Sequence, residues 1–96
     1  MSLGILTLQL LLPGCTSLKE KRSRLKSLLA RLHREFNVSS AEVGRQDDRD
    51  EALIACALVS NDAGFTQKAL QQTARWVEEN WPDVSVADEK YELISI

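Results

Sequence analysis

The stretch LGILTLQLLL, Leu3 to Leu12, decides the fold because its side chains alternate along the chain. From position 6 onward the even positions are all leucine, whereas the odd positions are mixed in polarity. A repeat of two residues predicts a β-strand, and the fully apolar set predicts that one of its faces is buried. Pro13-Gly14 ends this strand. The set expected inside is Leu6, Leu8, Leu10 and Leu12, and the set expected on the other face is Ile5, Thr7, Gln9 and Leu11.

A second apolar stretch, ALIACALV at Ala52–Val59, has no polar interruption. Such a run is typical of a central strand that is buried on at least one face. Two weaker strands are predicted at Val38–Val43, where polar residues suit a sheet edge, and at Val84–Ile96, with a bend near residues 88–90. The charged segment Gly44–Glu51 is expected to be a loop.

Two helices separate these strands. Ser17 to Glu20 has the pattern of a capping box, which opens a helix that runs to Phe36 and is capped by Asn37. Asn61 or Asp62 caps the second helix, which ends at Trp81-Pro82. The apolar stripe of the first helix is Leu18, Leu25, Leu28, Leu29, Leu32 and Phe36, and the expected inner face of the second is Phe65, Ala69, Thr73, Trp76, Val77 and Asn80.

The order βαββαβ predicts a single ferredoxin-like α/β sandwich over residues 1–96. The two most apolar strands belong at the centre, which gives a four-stranded antiparallel sheet of order 4-1-3-2 with both helices on one face. The other sheet face then exposes apolar side chains. Because exposed apolar patches usually mark interfaces, we expect a homodimer through this face or through the edge of the fourth strand.

Composition restricts the class of protein. The chain has 96 residues, 44% of them hydrophobic and 27% charged, which is the balance of one globular domain. No apolar stretch approaches the roughly 20 residues that a membrane span needs, so no membrane association is expected. Two isolated cysteines, Cys15 and Cys56, suit a reducing compartment and predict a cytoplasmic location.

The net charge of −2 conceals a strong asymmetry. The segment Lys19–Arg34 has seven basic residues and one acidic residue, hence +6, whereas the remaining five basic and thirteen acidic residues give −8. Helical geometry places Lys19, Arg22, Lys26 and His33 on one flank without an acid among them. We predict phosphate contacts by the first three of these residues, with Lys21 and His33 behind them. In the alternative interpretation, this flank is a solvated surface whose charges meet acids of the 45–51 loop or the second helix.

Other functions find less support. The central strands contain no aromatic residue, so base stacking on the sheet is not expected. One histidine, no metal-ligand spacing and no cofactor motif argue against an enzyme, a metal site or a cofactor. The competing hypothesis is an enzyme that binds a small anion at the start of the first helix, with Ser17, Lys19 and Cys15 around it.

The string SLKEKR at Ser17–Arg22, followed by LKSL, resembles the YlxP-like family of small bacterial proteins, whose domain has no assigned function. The similarity continues through FNVS at 36–39, AEV at 41–43, QD at 46–47 and VSND at 59–62. The resemblance implies a ferredoxin-like fold and a cytosolic location, and it supplies no catalytic residues. Members of this family are often encoded beside translation and ribosome-maturation factors.

Charge and resemblance together predict a binding module that associates with RNA or a ribosomal particle through the first helix. A protein–protein adaptor with an acidic partner is the alternative, since Lys and Arg serve both kinds of surface.

Overall fold

The computed structural model describes all 96 residues and has the predicted order of elements. The strands and helices are β1 (Ser2–Leu11), α1 (Leu18–Phe36), β2 (Ser39–Gly44), β3 (Glu51–Ser60), α2 (Ala63–Asn80) and β4 (Ser85–Ser95). The boundaries lie close to those expected from the sequence because Pro13-Gly14, Asn37 and Asp62 end or begin elements as their chemistry requires. Neither helix is long and apolar enough to cross a membrane.

The four strands form one antiparallel sheet in the order β2-β3-β1-β4, which is the predicted order 4-1-3-2. β1 pairs with β3 along its whole length, with Leu6 opposite Cys56 and Leu8 opposite Ile54. The ferredoxin-like topology is therefore confirmed, with the two most apolar strands at the centre. The expected bend of the last strand appears as an irregularity near Ala87, where the register between β1 and β4 shifts.

Both helices cover the same face of the sheet, and the core lies between them and the strands. The even-numbered leucines of β1 are all buried, as predicted, in one core cluster with Leu25, Leu28 and Leu32 of α1. Gly4 is a point of close approach between β1 and α2, since a β-carbon there would lie 2.7 Å from a methyl carbon of Leu70.

The predicted inner face of α2 is wrong by one position for part of its length. Phe65 and Asn80 are exposed, whereas Thr66 and Leu70 are fully buried against the sheet. The reason is that the aromatic residues of α2 lie on its flank toward α1, where Trp76 makes an edge-to-face contact with Phe36 at 5.8 Å between ring centroids.

Candidate nucleic-acid interface

The start of α1 is fixed by hydrogen bonds within its own first turn. Ser17 accepts a hydrogen bond from the backbone N–H of Glu20 at 3.1 Å, as the capping pattern predicts. The Glu20 carboxylate reaches back to the backbone N–H of Thr16 at 2.7 Å, one residue earlier than in the usual capping box. This hydrogen bond is the main reason that the pKa of Glu20 lies below its usual range.

Three cations of α1 project into solvent on one flank. Lys19, Arg22 and Lys26 are exposed, and none of them forms an ion pair with an acidic side chain. At 1.5 Å of rise per residue, Lys19 and Lys26 lie about 10 Å apart along the helix axis. We call these three residues the basic row.

His33 continues this flank at the end of α1 and is also exposed. Its Nδ1 lies 2.9 Å from the carbonyl oxygen of Val38. Because that oxygen can only accept, Nδ1 carries the hydrogen and donates it, which leaves Nε2 facing away from the contact. His33 thus secures the chain after α1 and leaves one ring nitrogen available to a partner.

Lys21 does not belong to this surface, and its interpretation as a residue behind the phosphate contacts is wrong. Its side chain is 1% exposed, and its ammonium group lies 2.9 Å from a carboxylate oxygen of Glu42. The same group donates to the carbonyl oxygens of Arg45 and Asp48, each at 2.5 Å. Two hydrogen bonds and one ion pair thus hold the Lys21 ammonium group inside the fold, so it is not available to RNA.

The helical repeat contains the signal that places Lys21 inside. Lys21 precedes Leu25, Leu28 and Leu32 by four, seven and eleven residues, which is the spacing of one buried stripe. Lysine is rarely buried unless it is paired with another group. Its residue type therefore favoured an exposed position for Lys21, although its spacing matches the buried stripe. The partners come from residues more than twenty positions away, and only the fold brings them together.

Two arginines of α1 are also used internally. Arg24 donates to the backbone carbonyl oxygens of Pro13 and Asp83. These hydrogen bonds join α1 to the turn that precedes it and to the segment between α2 and β4. Arg31 pairs with Glu35 at 3.5 Å, and its guanidinium lies 5.5 Å from the ring centroid of Trp76. The +6 segment therefore offers solvent less positive charge than its sequence indicates.

The acidic loop after β2 pairs mostly with its own cations. Arg45 lies 3.3 Å from Glu51, and Arg49 lies 3.8 Å from Asp50. The alternative interpretation paired that flank with acids of this loop or of α2, and neither group forms an ion pair with the basic row. The loop contacts α1 through the buried Lys21 instead.

The turn before α1 is arranged differently from a small-anion site. Cys15 is buried, and its thiol donates to the carbonyl oxygen of Ser17 at 3.4 Å. The Glu20 carboxylate already occupies the N–H group of Thr16. A bound anion at this turn would meet that carboxylate, so the geometry disfavours the competing enzyme hypothesis built on Ser17, Lys19 and Cys15.

Comparison with known proteins identifies relatives but no activity. The model of a family described as "Protein of unknown function (DUF503)" matches residues 3–91. The uncharacterized protein YlxP of Bacillus subtilis (strain 168) is 38% identical over 68 residues, which are 71% of this chain and 73% of YlxP.

Among solved structures, the chain is similar to SnoaB, a cofactor-independent oxygenase from Streptomyces nogalater, with a TM-score of 0.48 and 11% identity over 99% of this chain and 92% of that chain. A likeness at this level does not transfer the oxygenase activity. The match over residues 3–91 and the identity with YlxP assign the family: the chain belongs to the YlxP-like DUF503 family of proteins of unknown function.

Proposed function

We propose that the protein binds RNA, either free or in a ribosomal particle, through the basic row Lys19, Arg22 and Lys26, with His33 beyond it. The observation that carries the proposal is that these three cations are exposed together and have no acidic partner in the chain. The ion pairs that α1 does form, Lys21–Glu42 and Arg31–Glu35, involve cations outside the basic row.

The basic row has a small cost for the isolated protein. Arg22 and Lys26 are like charges at a separation of four residues, which destabilises a helix by a few tenths of a kcal/mol. Lys19 lies in the first turn, where the helix dipole disfavours a cation. An anionic partner relieves both effects at once, which is the physical argument for a polyanion on this flank.

The expected mode of binding is phosphate contact without base reading. The flank offers charged donors, and no aromatic side chain accompanies them for stacking. The net charge of −2 opposes approach of RNA from other directions, so binding is modest and confined to one side of the molecule. A cytoplasmic location, where RNA is present and thiols stay reduced, fits the two free cysteines.

The test is a pull-down from lysate, with and without ribonuclease, using the wild type and two charge-matched variants. The first variant is Arg22→Glu with Lys26→Glu, in the basic row. The control is Lys68→Glu with Arg75→Glu, which changes two exposed, unpaired cations of α2 by the same charge. We expect the wild type and the control to co-sediment with ribosomal particles or RNA, and the first variant to lose this association while remaining folded.

Three results would overturn the proposal. The first is a wild type that does not associate with RNA. The second is a basic-row variant that associates as well as the wild type, and the third is an equal loss of binding in both variants. In the last case, net charge rather than the basic row would determine binding. An association that depends on Arg22 and Lys26 but survives ribonuclease would identify an acidic protein partner instead.

Salt dependence supplies a quantitative readout. Each phosphate contact contributes roughly 0.7 to 0.9 to the slope of log affinity against log salt concentration. Three contacts predict a slope of about −2 to −3 for the wild type, measured by fluorescence anisotropy with a labelled RNA. Replacing Arg22 and Lys26 by Gln should reduce the magnitude of that slope by about 1.5, whereas the same replacements at Lys68 and Arg75 should leave it unchanged.

A further inference from the structure

The sheet face opposite the helices carries an apolar surface that no part of the chain covers. β1 and β3 point their alternate side chains toward this face, and most of these side chains are half-buried by their neighbours alone. We call it the open face. Its central residues are Leu3, Ile5, Thr7, Leu53, Ala55 and Ala57.

The open face is uneven. We call the half formed by β1 and β4 the high side and the half formed by β3 and β2 the low side. In the middle of the β1–β3 pair, Ile5 lies opposite Ala57 and Thr7 lies opposite Ala55, so the side chains of β1 are larger there than those of β3. The low side continues onto β2, where Ala41 lies opposite Ala55. The high side continues onto β4, where long side chains stand opposite those of β1.

We propose that a second copy of this chain covers the open face, related by a two-fold axis that runs along the strands. A rotation about such an axis exchanges left and right across the sheet, which brings β1 of one copy over β3 of the other. The high side of each copy then fills the low side of its partner. This self-complementary shape is what an isologous interface requires.

The area suits a weak but specific dimer. Four strands at about 4.8 Å spacing and ten residues at about 3.3 Å rise give a face of roughly 600 Å². Two such faces bury about 1,200 Å² in total, at the lower end of the range for specific interfaces. We therefore expect association in the micromolar range of concentration rather than a permanent dimer.

The charges of the open face permit this contact. Asp88, Lys90 and Glu92 lie along β4 on this face, and none of them forms an ion pair within the chain. They alternate in sign and belong to an edge strand, so their apolar stems can pack on the partner while their charged ends reach water at the rim. The proposed dimer places both helical layers outward, so it leaves each basic row free and does not depend on the function proposed above.

Sedimentation velocity over a concentration series up to about 200 µM, well above the expected dissociation constant, tests the proposal. We expect the wild type to shift from monomer to dimer. Ala57→Arg fills the low side with a long cation and should keep the protein monomeric throughout. Gln67→Arg adds the same charge on the exposed side of α2 and should leave dimerisation unchanged.

Ala41→Arg is the second variant, since Ala41 is exposed on an edge strand and tolerates a larger side chain even if Ala57→Arg does not fold. It should weaken the dimer at least tenfold, because it obstructs the low side at its rim. A wild type that stays monomeric at the highest concentration overturns the proposal. So does a dimer that persists in the folded open-face variants, because it would use another surface.

Discussion

Lys21 differs from the other cations of α1 because its ammonium group is buried and is held by groups of the fold. It neutralises Glu42 on β2 and holds two carbonyl oxygens of the following loop. One of these carbonyls belongs to Arg45, whose φ of 61° is unusual for a residue with a side chain. The buried lysine therefore fixes the course of the charged loop, and its charge serves the fold rather than a partner.

Removing this side chain should destabilise the protein clearly. Lys21→Ala leaves the Glu42 carboxylate without its counter-ion and two carbonyl groups without a donor. Loss of one partner of a buried pair typically costs 3–5 kcal/mol, and because Glu42 keeps some contact with water we expect about 2 kcal/mol. Urea denaturation followed by circular dichroism measures the free energy of unfolding.

Lys19→Ala is the matched control, since it removes the same charge from an exposed position two residues earlier. It should change the free energy of unfolding by less than about 0.5 kcal/mol. Equal effects of the two substitutions would show that the contacts of Lys21 contribute nothing to stability.

At the scale of elements, α1 is defined by the residues that cap it. Asn37 ends the helix in the left-handed conformation, with φ 51° and ψ 38°, as the sequence predicted for a C-terminal cap. His33 and Arg34 lie in the last turn, where the helix dipole favours positive charge. These local signals explain why the boundaries of α1 followed directly from its sequence.

Two substitutions at Asn37 separate backbone conformation from side-chain contacts. Asn37→Ala places a β-carbon in the left-handed region and should destabilise the protein by about 1 kcal/mol. Asn37→Gly adopts this conformation freely and should be close to neutral or slightly stabilising. Thermal denaturation of the two variants checks the order, and an alanine variant as stable as the glycine variant would contradict it.

At the scale of the whole molecule, β3 lies in the interior of the sheet, and its Cys56 is fully buried. Burial raises the pKa of the Cys56 thiol to about 12, because the interior solvates a thiolate poorly. The thiolate is the reactive form, so Cys56 should be inert in the native protein at pH 8.

This inertness gives a measure of global stability. In a Cys15→Ser variant, we expect a thiol-reactive dye to label Cys56 only through unfolding of the entire sheet. The labelling rate should rise with urea in parallel with the unfolded fraction, and protein unfolded in guanidinium should react at once. Rapid labelling that does not depend on urea would indicate local opening of β3 instead.

The sequence alone determined the order of elements, the strand order of the sheet and the ends of α1. The elements and their ends depend on alternation, helical spacing and capping, which are properties of neighbouring residues, and the strand order follows from which two strands are most apolar. The sequence also placed Lys19, Arg22 and Lys26 on one helical flank, and the structure finds all three exposed. Their contact with RNA stays a prediction.

Only the tertiary structure decided which cations of α1 remain free. Lys21 finds Glu42 and the loop carbonyls, Arg24 finds Asp83, and Arg31 finds the tryptophans of the α2 region. The tertiary structure also decided which side of α2 is buried, so that Leu70, rather than Phe65, packs on the sheet. The physical reason is common to these cases: a charge or a ring is satisfied by groups distant in sequence, and only the folded chain brings them within reach.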